Sequence, residues 1–309
     1  MPIPDYQTLM LPVLTAAARG DTSVPILADD IADQFGLTDS ARNELLPSGR
    51  QKILHNRIHW AKFYINRAGL IDIPRRGRFV ASEAGRIILA KNPARIDADT
   101  LLAIPQFREF YNNSSVESSR QQPVDAHEVG IASVATPEEQ IDAAYLALGA
   151  ALRSDLLQRI LRNSPAFFEA AIIELLVAMG YGGSRKNASE QLGRTGDGGV
   201  DGVVNEDRLG LDRVYVQAKR YREGLSVGRP DVQAFVGSLV GLGATKGVFV
   251  TTSAFSSQAV EFVRHLTHRI VLIDGQRLAD LMIEHNVGIR VSRTIEFKKI
   301  DEDFFSEDE

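Results

Sequence analysis

Leu54, Ile58, Ala61, Ile65 and Ala68 recur at spacings of 4, 3, 4 and 3, which is one face of an α-helix. The pattern predicts a helix over 50–68, closed by Gly69. Ahead of it, Leu27 to Thr38 reads as a shorter amphipathic helix stopped at Gly36. Behind it, 70–73 and 79–81 read as two short strands around the turn Pro74-Arg75-Arg76-Gly77-Arg78. Helix, turn, helix and basic hairpin together predict a winged helix-turn-helix over 1–100. Periodicity then lapses: 101–136 is polar and Ser-rich at its centre and reads as a flexible linker.

Patterning resumes at Thr136, where Thr136, Pro137 and Glu139 form a helix-start signature with a capping box. A connecting helix or helix pair is expected over 137–163, with Ile141, Ala144, Tyr145, Leu148, Leu152 and Leu156 as its apolar positions. Ser164-Pro165 opens another helix, to Met179. Phe168, Ile172, Leu175, Leu176 and Met179 form its buried face, Glu169 sits at the boundary of that face, and Glu174 lies opposite, in solvent. The glycine-rich run GRTGDGGVDGVVN at 193–205 delivers Asp201 into a short apolar strand. In Arg213-Val-Tyr-Val-Gln217-Ala-Lys219, alternation puts Tyr215, Gln217 and Lys219 on one face and Val214, Val216 and Ala218 on the other. Pro230 to Leu242 reads as a helix with Val232, Phe235, Val236 and Leu239 inward. Then come a buried strand at 247–252, a helix at 256–266 and a strand at 270–274. Alternating strands and helices predict a mixed α/β sheet flanked by helices. Thr251, Thr252 and Ser253 read as caps of the following helix.

Composition narrows the chemistry. The 309 residues fit about two domains. No apolar run approaches the roughly 20 residues of a membrane span, and the N-terminus reads as lacking a secretory leader. Without cysteine there are no disulfides, thiolate metal sites or cysteine nucleophiles. The net charge of −5 argues against nucleic acid until its distribution is examined: 50–91 holds ten Lys/Arg and two acids, a local +8, whereas the last nine residues hold six acids. A helix fits the major groove of DNA, and an arginine-bearing hairpin reaches backbone or minor groove. Arg50, His55, His59 and Lys62, with Gln51 and Asn66, and the wing residues Arg75, Arg76 and Arg78 are therefore the expected DNA contacts. His55 and His59 have no carboxylate at ligand spacing, which argues against zinc. No P-loop motif is present.

An antiparallel pairing of the two strands would bring Asp201 beside Gln217 and Lys219, with Glu169 on a neighbouring helix. Oxygen ligands of this kind suit Mg²⁺, a metal activates water against a phosphodiester, and a lysine stabilises developing charge. These residues also carry a resemblance. FFEAAIIELLVAMGYGG, GDGGVDG, VYVQAKRY, FVGSL, GVFVTTSAFS and IVLIDG, in that order, resemble the catalytic domain of Mrr-type restriction endonucleases, in the PD-(D/E)xK nuclease superfamily. RIHWAKFYINRAGLIDIPRRGRFVASEAGR resembles the winged-helix domain of the same proteins.

The resemblance implies a restriction-endonuclease-like α/β domain over 164–295, and the charge run leaves 296–309 as an acidic tail. It implies type IV restriction, the Mg²⁺-dependent cutting of foreign DNA bearing methylated adenine or cytosine. In this reading Asp201, Gln217 and Glu169 hold the metal and Lys219 is the motif lysine. Gln217 stands where most of the superfamily has a carboxylate, so metal affinity should be lower. Asp197 reads as structural, and Gln233 as a residue that could approach the site. The expected partner is double-stranded, methylated DNA, bound by a homodimer or larger assembly in the cytoplasm, at the nucleoid when engaged. The competing reading is a non-catalytic winged-helix DNA-binding regulator with a degenerate nuclease-like domain.

Overall fold

The computed structural model describes residues 2–20, 22–118, 134–182, 199–207, 210–222 and 224–300. It divides into two compact units, one built on Met1–Leu146 and the other Ala147–Phe297.

The first unit contains α1 (Tyr6–Arg19), α2 (Val24–Gln34), α3 (Asp39–Asn43), α4 (Ile53–Arg67), β1 (Ile71–Arg75), β2 (Arg78–Ala81), α5 (Glu83–Ala90), α6 (Ala98–Leu102) and α7 (Pro105–Ser118). Asp5 caps α1, accepting from the Gln7 and Thr8 amides. The predicted stripe of α4 is buried: Leu54, Ile58, Ala61, Ile65 and the following Ala68 are each at most 2% exposed. They close on Leu9, Met10, Val13, Leu14, Leu27 and Ile31 of α1 and α2. β1 and β2 pair antiparallel, with Arg75 opposite Arg78. Gly77, at φ +69°, takes the left-handed turn position that the two-residue loop needs. Thr22 bridges to Phe79 and adds a third edge to the hairpin.

Three expectations change here. The shorter helix begins three residues earlier, at Val24, because Pro25 seats in its first turn. The longer one begins at Ile53, not 50: the Leu46 amide bonds the Gln51 carbonyl at 2.9 Å and Gly49 lies at φ +69°, so 46–51 is a turn. Arg50 and Gln51 are turn residues and do not extend the polar face of α4. The stretch 101–136 is not linker throughout. Leu101 and Phe107 are fully buried, and Phe107 and Phe110 meet Tyr64 and Phe63 of α4 edge to face, which folds 98–102 and 105–118 into helices. The stretch 119–133 lies outside the described residues.

One helix, α8 (Pro137–Arg162), covers the predicted connecting stretch. Its capping box forms: Glu139 accepts from the Thr136 amide at 2.7 Å, and Thr136 Oγ1 accepts from the Glu139 amide at 3.3 Å. The Thr136 hydroxyl also donates to Asn56 Oδ1 at 2.6 Å, with both residues buried.

In the second unit follow α9 (Pro165–Ala178), β3 (Gly202–Asn205), β4 (Arg213–Lys219), β5 (Ser226–Val227), α10 (Arg229–Gly241), β6 (Lys246–Thr251), β7 (Ala254–Phe255), α11 (Ser257–Arg264), β8 (Arg269–Ile273) and α12 (Gly275–Glu284). The main sheet has the order β3-β4-β6-β8. β3 runs antiparallel to β4, while β4, β6 and β8 are mutually parallel, so the sheet is mixed. On one face Val214, Val216, Val248 and Val250 pack with Ile172, Ile173 and Leu176 of α9 and Leu278 and Met282 of α12. On the other, Phe249 meets Val232, Phe235 and Leu239 of α10 and Ala259 of α11. No helix of the described residues is long and apolar enough to cross a membrane.

Candidate active site

Antiparallel register places Gly202 opposite Val216, which sets Asp201 beside Gln217 at the end of the strand pair. The Asp201 amide donates to the Val216 carbonyl at 2.8 Å, so the residue is anchored before its side chain is considered. Gly199, at φ +81°, turns the chain into β3, and a Cβ there would sit 2.6 Å from Ser238 Oγ. The Asp201 carboxylate then accepts twice through Oδ2: from the Ala218 backbone amide at 2.7 Å and from the Gln217 side-chain amide. Both donors come from β4, so the carboxylate is aimed along that strand.

Glu169 lies on α9, half-buried as the boundary position predicts. Burial, and then the nearby charge of Asp201, push its carboxyl above the usual range. Glu174 is exposed, also as predicted. Asp201 and Glu169 are hard-oxygen groups, the chemistry from which Mg²⁺ takes one or two protein carboxylates and several waters, whereas Gln217 turns its amide N–H, not its oxygen, toward Asp201. Among the described residues no group of three or more His, Asp or Glu side chains converges. Asp197 lies outside the described residues.

Lys219 ends β4, opposite Thr251 of β6. Its ammonium is paired with Asp231 on α10, and lies 5.8 Å from the centre of the Tyr221 ring. Desolvation alone would lower its pKa; the bond to Asp231 and that carboxylate's charge outweigh it and hold the amine above its usual range. Asp231 was not legible as a site residue, because an acid in the first turn of a Pro-led helix reads as a cap. It serves as one, accepting from the Gly228 amide at 3.3 Å. Gln233, two positions on, is exposed.

The threonines at the end of β6 do not cap the next helix. The Thr251 hydroxyl donates to the Lys219 carbonyl at 2.8 Å. The Thr252 hydroxyl donates to the Tyr221 carbonyl at 2.7 Å and accepts from its amide at 3.0 Å. They pin the chain that carries Lys219, and Ser256 does the capping. Their signal in the sequence was position: hydroxyls at the end of a parallel strand beside the one bearing the lysine.

In the first unit, His55, His59 and Lys62 lie on α4, and Lys62 sits 5.7 Å over the Phe79 ring of the wing. Arg75 closes β1, Arg76 occupies the turn, and Arg78 opens β2; Arg75 and Arg76 are exposed. Both imidazoles are held below the usual range, by burial first. Lys52 adds to the effect at His55, and Lys62, His55 and Lys299 at His59, although much of the His59 side chain remains exposed. A neighbouring basic residue is spoken for. Arg57 bonds Glu139 at 2.9 Å and the Ile3 carbonyl at 2.6 Å, and Trp60 donates to Glu138 at 2.6 Å. That flank of α4 is therefore structural.

Two family models match: a restriction endonuclease catalytic domain over residues 160–282 and the Mrr N-terminal domain over 6–91. The chain is 37% identical over 309 residues to the type IV methyl-directed restriction enzyme EcoKMrr of Escherichia coli (strain K12), covering 99% of this chain and all of that relative. Two solved structures are similar over parts of the chain. The DNA modification-dependent restriction endonuclease AspBHI (23% identity, TM-score 0.34) matches 46% of this chain and 36% of its own. The MspJI restriction endonuclease, in complex with a 27-mer oligonucleotide (22% identity, TM-score 0.35), matches 68% of this chain and 49% of its own. With both domains matched in order and a relative this similar along its whole length, the chain belongs to the Mrr family of restriction endonucleases.

Proposed function

We propose that the protein is a type IV, modification-dependent endonuclease that hydrolyses phosphodiester bonds of methylated double-stranded DNA with Mg²⁺. The observation that carries this reading is the contact of Gln217 with Asp201 at one end of the β3–β4 pair, with Lys219 two residues farther along β4 and Glu169 close enough to feel Asp201. Asp201, Glu169 and the Gln217 amide oxygen would hold the metal. A bound Mg²⁺ would polarise the scissile phosphate and lower the pKa of a coordinated water. The Asp201 carboxylate is pre-aimed by the Ala218 amide, and the Lys219 ammonium offers positive charge to the developing phosphorane oxygens.

In the same reading the winged unit binds the duplex. His55, His59 and Lys62 face the groove, Arg50 lies on the turn before α4, and Arg75, Arg76 and Arg78 bind phosphate from the wing. Cutting both strands calls for two active sites, so the working form is a homodimer or larger homo-oligomer, acting on DNA in the cytoplasm. The domains would be 1–100 for DNA binding, 137–163 for connection, 164–295 for cutting and 296–309 as the tail.

The test is plasmid cleavage with Mg²⁺ on matched methylated and unmethylated DNA, with Asp201→Ala alongside. Cutting of methylated DNA alone, lost in Asp201→Ala while DNA is still bound, is the expected result. Saturable binding with no cutting by the wild type on either DNA would instead favour the non-catalytic regulator.

A further inference from the structure

Lys219 is the residue on which the nuclease reading depends most for positive charge, yet its side chain has the most rotatable bonds in the site. Its backbone is fixed by the ladder to β6 and by the Thr251 hydroxyl. From there a flexible four-carbon stem carries the ammonium. The chain of anchors runs through Asp231. That carboxylate sits in the first turn of α10, where the helix N-terminus favours an anion, and it accepts from the Gly228 amide at 3.3 Å. Val232, next to it, is fully buried, and Phe235 is 1% exposed, so the turn cannot drift relative to the sheet. The anion is the fixed partner and the ammonium the movable one. The pair is open, with side-chain exposures of 33% for Lys219 and 28% for Asp231, and ion pairs this exposed add little to folding stability.

We propose that Asp231 is a positioning residue for the hydrolysis. It holds the Lys219 ammonium at the Asp201 end of β4, and acts on the reaction only through that lysine. This rests on the nuclease reading, in which Lys219 serves the reacting phosphate. Asp231→Asn isolates the effect, because the amide oxygen still accepts from Gly228 while the charge that holds the lysine is gone.

The experiment has two readouts on the full-length protein. The first is amine acylation footprinted by mass spectrometry, with no DNA and no metal. Lys219 should be labelled several-fold faster in Asp231→Asn than in wild type, with other lysines unchanged. The second is single-turnover cleavage of methylated plasmid with Mg²⁺, beside DNA affinity and melting temperature. The rate should fall at least ten-fold with affinity and melting unchanged, and Asp231→Glu should recover part of it. Equal labelling of Lys219 overturns the inference. So does faster labelling with a cleavage rate within two-fold of wild type, or a rate loss matched by a loss of affinity or melting temperature. A wild type that cuts nothing, seen in the same assay, overturns the nuclease reading and the positioning role with it. Failure of the inference alone shows as a cutting wild type and an equally competent Asp231→Asn.

Discussion

Gln217 gives its side-chain amide N–H to Asp201. A glutamate there could not: it would set a second negative charge against a carboxylate that already repels Glu169. On the proposed reading, the glutamine would thus stabilise the metal-free protein at the expense of cation affinity. Gln217→Glu should therefore melt lower in chelator, by the order of 1–3 kcal/mol expected when a charged acceptor loses its donor. It should also need less Mg²⁺ to recover. A thermal melt in chelator followed by Mg²⁺ titration checks both, and an unchanged chelator melt would refute the argument. Glu169 makes a pH prediction of definite sign. Its folded-state pKa is raised, so it is the ionised form that the fold disfavours, and that cost appears as pH rises through the carboxyl range. In chelator, Glu169→Gln should out-melt wild type near neutral pH, and the advantage should vanish below about pH 4, where glutamate is protonated in both states. An advantage that persists at low pH would show a packing effect instead. Asp201, Gln217 and Lys219 were legible because strand alternation and a glycine-led strand fix them locally. Asp231 was not, since its reach to Lys219 depends on how α10 lies across the sheet.

At the level of elements, the wing is the sharpest feature of the first unit: three arginines around one left-handed glycine, on a hairpin whose buried residues, Ile71, Phe79 and Ala81, tie it to the core. Reversing all three charges (Arg75→Glu, Arg76→Glu, Arg78→Glu) should weaken DNA binding. The slope of log K against log salt should shrink by about 0.9 for each phosphate that the wing no longer neutralises. Because phosphate contacts carry no base information, methylated and unmethylated DNA should lose affinity by the same factor. A binding titration at several salt concentrations decides it: an unaltered slope would remove the wing from the DNA interface. The main helices of this unit were legible from periodicity, because one stripe meets one core. The helices over 98–118 were not. Their core residues, Leu101, Phe107 and Phe110, are few within a polar sequence, and what recruits them is the aromatic surface of α4, a partner more than 40 residues away. The start of α4 was misplaced for a similar reason. Arg50 and Gln51 suit a helix, but the Gly49 turn and the Leu46–Gln51 hydrogen bond claim them first.

The whole molecule sets a problem that no single residue answers. One chain carries one Asp201, whereas a duplex has two strands of opposite polarity; the proposed homodimer meets this with a second site, and the competing possibility is one chain that visits twice. On the proposed reading, a basic stretch of +8 within a molecule of net charge −5 would meet phosphate locally without holding the whole surface to DNA. Two chains acting together and one chain acting twice differ in a measurable way. Wild type and Asp201→Ala, mixed in equal amounts and allowed to exchange, should give mixed dimers in about half of the assemblies under closed two-fold association. Each mixed dimer has one competent site and nicks one strand. Open-circle product should therefore accumulate, and linear product should form at about a quarter of the wild-type rate, since only about one dimer in four carries two intact sites. If instead the mixture behaves as wild type at half its concentration, the chains cut independently, and the paired-site requirement falls while the chemistry at Asp201 stands.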